Sequence, residues 1–108
     1  MESRKKAGEY KNGEALRDIV KKTLEQGDRD THNTFVQVPN FFETLGVLVE
    51  EKAISLNSVD KLLGSIVISG WNYWSHTITY LQDYHKQRTA YENFQNLAER
   101  LRKRRGIT

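Results

Sequence analysis

Three histidines, one inward-set glutamate and a terminal run of arginines are the residues of this chain whose types could do chemistry. A metal site or proton relay on His32, His76 and His85 would need ligands paired four apart on one helix face. No such spacing occurs. His76, Tyr80 and Asp83 could share a helix face, but one histidine and one carboxylate at that spacing are common on ordinary surfaces. Gly64 and Gly70 sit inside a helical pattern, where they permit close packing, so there is no glycine-rich phosphate loop. No serine has the context of a nucleophile elbow. These residues imply a non-catalytic protein with no metal and no cofactor.

Glu43 lies between Phe42 and Leu45, beside Asn40. A partly buried carboxylate needs a partner, and Arg88 is the only arginine between Arg29 and Arg100. One reading gathers Glu43, Trp74 and Arg88 into a polar pocket between the second and third helices, suited to a small ligand or an enzymatic role. The plainer reading makes Glu43 a first-turn carboxylate that serves its own helix.

Arg100, Arg102, Lys103, Arg104 and Arg105 form the strongest electrostatic feature. Clustered cations bind nucleic-acid phosphates with counterion release, or rest on anionic lipids as a peripheral membrane contact. A solvated helix end is the simpler account of a short charge run. The formal charge of +3 belongs to this tail. Residues 1–30 hold eight basic and seven acidic side chains, residues 31–99 four and seven, and residues 100–108 five and none. The body of the domain is therefore mildly acidic, which argues against a nucleic-acid-binding surface over the whole domain.

The elements that must position these groups are all helical. Leu16, Ile19, Val20, Thr23 and Leu24 make one stripe over residues 13–26, with Gly27 as a stop. Residues 1–12 read as a disordered or loosely attached segment and residues 28–33 as a polar connection. The second helix carries Phe35, Val38, Phe42, Leu45 and Val49 and runs to about Lys52. Because proline keeps every backbone bond only in a first turn, the helix either begins near Val38 or kinks there, and a start between Thr34 and Pro39 is favoured. Residues 53–57 form a turn. A capping box at Asn57–Asp60 then opens a long central third helix over about 57–87, with a bend expected near Gly70. Thr89–Glu92 caps a fourth helix with Phe94, Leu97, Ala98 and Leu101 on its buried stripe.

Residues 62–82 contain no Asp, Glu, Lys or Arg. Their many serines, threonines and amides suit a bundle's central helix rather than a membrane span. Gly64, Val67, Trp71, Trp74, Ile78, Leu81 and His85 recur at three and four residues, so both tryptophans belong to one core seam. Tyr73, Tyr80 and Tyr84 mark a neighbouring face with Leu63, Ile66 and Thr77. With His76 beside them, they are the candidate partner-binding residues, since tyrosine is enriched at interfaces.

The run Asn40-Phe-Phe-Glu-Thr-Leu-Gly46 opens a wider pattern. It continues through Ala53-Ile-Ser55, Val59, Leu62-Leu-Gly64, Ile68 to Trp71, Tyr91, Phe94 and Leu97-Ala98. Over residues 34–99 this resembles a bacterial and phage family of helical proteins, domain-of-unknown-function family 4760. The resemblance implies an α-helical fold and no established activity or catalytic residues. Members often carry an N-terminal membrane helix, from which this chain departs.

The expectation is thus an all-α, single-domain four-helix bundle over residues 13–105. With no cysteine and no apolar segment behind Met1–Lys6, it suits the cytoplasm. It would act as a protein–protein interaction or regulatory module, binding another protein or a second copy of itself. Nucleic acid at the basic tail is the alternative partner.

Overall fold

The computed structural model describes the backbone of residues 2–107 and the side chains of residues 12–107. Four helices follow in order: α1 Glu2–Glu25, α2 Arg29–Glu50, α3 Leu56–His85 and α4 Glu92–Arg104. No strand occurs among the described residues. The architecture is the all-α bundle that the periodicity implies, with the long α3 central. α3 packs most extensively on α1 and then on α4, whereas α2 packs chiefly on α4. The expectation of a loosely attached segment over 1–12 lies, apart from the exposed Asn12, outside the described side chains. No described helix is long and apolar enough to cross a membrane.

The core is where the stripes meet. Val20 of α1, Val67 and Ile78 of α3, and Phe94, Leu97 and Leu101 of α4 are almost wholly sequestered. Trp74 is buried, and the half-buried Trp71 sets its ring edge-on to Phe94 at 5.2 Å. Phe42 stacks on the other side of Phe94 at 4.8 Å, so one phenylalanine joins three helices. The expected close approach at Gly70 is real: an added Cβ would meet the Phe42 ring at 2.9 Å.

Several helix boundaries differ from the sequence reading, and the first is α1, whose backbone is helical from Glu2 and not from residue 13. α2 begins at Arg29, because Asp28 Oδ1 accepts the Thr31 amide at 3.2 Å and draws residues 29–33 out of the expected loop. Pro39 therefore lies inside the helix. Its ring is fully buried, and that packing offsets the backbone bond it cannot make. α3 is capped by Ser55, whose Oγ accepts the Ser58 amide at 3.0 Å, and not by Asn57. It ends where Lys86 turns left-handed at φ 55. Gly27, at φ 68, ends α1 as expected.

Thr77 is completely buried, and its hydroxyl has no hydrogen-bond partner among the described residues. An unsatisfied buried hydroxyl opposes folding, and valine has nearly the same shape without it. Thr77→Val is expected to raise unfolding stability by about 1 kcal/mol in urea denaturation, with the helical spectrum unchanged.

Candidate functional site

α4 has no side-chain cap of its own. Its N-cap residue, Tyr91, is left-handed at φ 64, and the expected Thr89–Glu92 box does not form. Glu43 of α2 performs that task. Its Oε1 accepts the Phe94 amide and its Oε2 accepts Asn93 Nδ2, both at 2.8 Å. The carboxylate satisfies an orphan donor and places negative charge at the positive end of the helix dipole. One turn earlier on α2, Asn40 Oδ1 accepts the Tyr91 hydroxyl at 2.7 Å. Burial, and then the nearby Glu43 charge, raise the Tyr91 pKa and keep this phenol a neutral donor. One turn later, a Cβ at Gly46 would overlap the Asn93 carbonyl, so only glycine lets the two backbones meet. Asn40, Glu43 and Gly46 thus form one strip of α2 on which α4 begins.

This placement corrects both readings of Glu43. It is not in the first turn of its own helix, because α2 starts well before it. Nor does it share a pocket with Trp74 and Arg88. Arg88 is exposed in the α3–α4 turn, and Trp74 lines a different groove from Glu43.

Glu43 does border a cavity of about 280 Å³ with His32, Leu81, His85, Gln87 and Tyr91. His32 was expected in a loop and instead lies in the first turn of α2, its Nδ1 3.3 Å from Thr23 Oγ1. The Thr23 hydroxyl also donates to the Val20 carbonyl at 2.6 Å. Burial, and then the facing His85, lower the His32 pKa below 6.5. Among the described residues no group of three or more metal-ligating side chains converges.

The basic end of α4 is not a free solvated tail. Arg105 donates from Nε to Asp60 Oδ1 at 2.7 Å, from one terminal nitrogen to Ser65 Oγ at 2.8 Å, and from the other to the Asp60 carbonyl at 2.9 Å. Arg104 Nε lies 3.1 Å from Asp60 Oδ2, and Arg104 also donates to Asn57 Oδ1 at 2.5 Å. Asn57 and Asp60, expected to cap α3, instead hold the end of α4. Gly64 is needed here for a side chain rather than a helix, since a Cβ would overlap the Arg105 guanidinium. Arg102 reaches Asn72 Oδ1 at 3.4 Å, and Arg100 lies 3.8 Å from Glu50, an exposed pair of little energetic weight. Lys103 is exposed on the same end.

The tyrosines do not share one surface. α1 packs along their face of α3, burying Thr77 in its middle and bringing Gly13 against the Tyr73 carbonyl. Tyr80 and His76, both half-buried, line a groove with Arg17, Asp18 and Lys21 of α1. Burial first, then Glu25 and Tyr84, raise the Tyr80 pKa. Tyr84 is exposed, its ring 5.0 Å from that of His85.

Tyr73 faces elsewhere, into an open groove of about 440 Å³ between α2 and α3. Phe42, Gly70 and Trp74 form its floor, and Val38 and Ile66 stand at its edges. Phe41 and Leu62 are also exposed, Leu62 at 78%. The helix segments that bear these residues, 31–42 and 62–82, contain no Asp, Glu, Lys or Arg. An apolar groove flanked by exposed apolar side chains marks an interaction site more often than scattered exposed residues do. Its one sequence signal was the uncharged length of both segments. Which residues face outward depends on how α2 lies across α3.

The family model described as "Domain of unknown function (DUF4760)" matches residues 1–101. The chain belongs to this family. No curated protein and no solved structure matches it. Within this DUF4760 chain the match spans the Asn40–Glu43–Gly46 strip, both walls of the apolar groove and the histidine cavity, and it ends before Arg102–Arg105.

Two measurements check this geometry. Glu43→Ala is expected to cost about 1.5–3 kcal/mol in urea unfolding, the range for hydrogen bonds to a charged group. For His32, the unfolded chain binds the proton more tightly than the folded one. The associated stability is therefore present above about pH 6.5 and is lost as pH falls through that value toward the lower folded one. Thermal melting temperatures between about pH 7 and about pH 5 should fall less steeply for His32→Gln than for the native chain.

Proposed function

We propose that this DUF4760 member is a non-catalytic protein-interaction module whose docking surface is the apolar groove between α2 and α3. The observation that carries the reading is the groove, at which Val38, Ile66 and Tyr73 are exposed, with Phe41 and Leu62 exposed on the same two uncharged helix segments. Burying such side chains against a partner helix is the main favourable term in association, and an aromatic at the rim anchors the contact. Of the expected partner-binding tyrosines, Tyr73 belongs to this surface. Tyr80, Tyr84 and His76 are set apart from it by α1. The pairing of Arg104 and Arg105 with Asp60 weighs against the basic end as the primary contact, whether for nucleic acid or for lipid. A cytoplasmic location, to which the lack of cysteine is suited, and a bacterial or phage source, which the family resemblance suggests, complete the reading.

Photo-crosslinking in cells tests it. A benzophenone side chain at Ile66 should give a discrete protein adduct, and the same group at the exposed Glu14 of α1 should not. No adduct from Ile66, or equal adducts from both positions, would overturn the docking surface.

A further inference from the structure

We infer that the occupant of the α2–α3 groove is a second copy of this chain, related by a two-fold axis near Ile66. The inference rests on the docking reading above and adds the partner's identity. Three observations support it: area, shape and charge.

Val38, Phe41, Leu62, Ile66 and Tyr73 are 46%, 56%, 78%, 56% and 37% exposed. With about 200 Å² for a large side chain, they present roughly 500 Å² of apolar surface per chain. Two copies face to face would remove about 1,000 Å² of apolar surface from water, the lower threshold for a biological interface, so the pair is a weak, concentration-dependent one. A small partner helix laid in the groove would leave part of this patch uncovered.

A two-fold contact requires one patch to be complementary to itself. This patch supplies both halves. Leu62, Ile66 and Phe41 project from it, and the recess floored by Phe42, Gly70 and Trp74 lies beside them. Antiparallel crossing of the two α3 helices about Ile66 would seat Leu62 of one copy toward Tyr73 and the recess of the other.

Charge favours the same arrangement. Each chain carries +3 overall, so two copies repel unless their cations are kept apart. The patch-bearing segments carry no charged residue; beside their Leu62 end stand the exposed Lys61 and, converging on Asp60, Arg104 and Arg105. Arg105 reaches Ser65, at the Leu62 end of the patch. An antiparallel crossing places that end against the uncharged residues near Trp74 and His76 of the other copy, and holds the two guanidinium clusters at opposite ends.

Sedimentation equilibrium over a concentration series is the test, on the full chain. The apparent mass is expected to rise from 12.6 kDa toward twice that value. Leu62→Glu should weaken the dimer by at least about tenfold, as burial of that side chain is lost and a carboxylate is set into the contact. Ile19→Glu, at a side chain 49% exposed on α1, should dimerise as the native chain does. Because the chain has no cysteine, Ile66→Cys provides a second reading: air oxidation should give a disulfide-linked dimer, and Glu14→Cys should not. A mass of one chain at every concentration would overturn self-association, even if Ile66 still gives an adduct to another protein in cells. Dimerisation that Ile19→Glu abolishes and Leu62→Glu spares would overturn the face. Failure of the docking reading itself would show differently, as no adduct at all from Ile66.

Discussion

One carboxylate joins the second and fourth helices at the point where the core begins. Glu43 caps α4 from α2 and so fixes the position of its first turn. With the Phe94 amide fixed on Glu43, the Phe94 ring falls between Phe42 and Trp71, and Leu97, Ala98 and Leu101 follow it into the core. At the other end of α4, Arg104 and Arg105 close on Asp60. A helix of thirteen residues is thereby held at both ends by charge-assisted hydrogen bonds, and along its length by apolar burial.

The same cap explains the surface. A helix face committed to one neighbour is withdrawn from another. Because Asn40, Glu43 and Gly46 bind α2 to the start of α4, α2 touches α3 lightly, chiefly where Phe42 meets Gly70. Val38 and Phe41 then stand on one side of an open groove, with Ile66 and Tyr73 on the other. The polar contact that completes the core is also what leaves apolar side chains uncovered. That is the physical link from fold to the docking role proposed above.

Some of this was legible in the sequence. The stripe of Phe94, Leu97, Ala98 and Leu101 repeats at strict helical spacing on an otherwise polar segment, and its burial followed directly. The tryptophan seam was legible for the same reason. The start of α2 was not, because Asp28–Asn33 has loop-forming composition and Pro39 reads as a first-turn residue. A local cap and tertiary burial override both. The role of Glu43 was hidden because its partners lie fifty residues away, where no helical period reaches. Asn57 and Asp60 matched a capping box, yet Arg104 and Arg105 compete for the same oxygens across the bundle. The groove residues sit in the most apolar run of the chain. Only the lie of α2 determines that Leu62 and Ile66 face outward.

The most direct test of the central claim is amide hydrogen exchange at Phe94 in the native protein. A third-position amide in a helix without a side-chain cap has no intrahelical acceptor and exchanges quickly. With Glu43 as its acceptor, Phe94 should exchange as slowly as the core amides of α3, and Glu43→Ala should release it. Fast exchange at Phe94 in the native chain, at the rate of an unprotected peptide amide, would contradict the account.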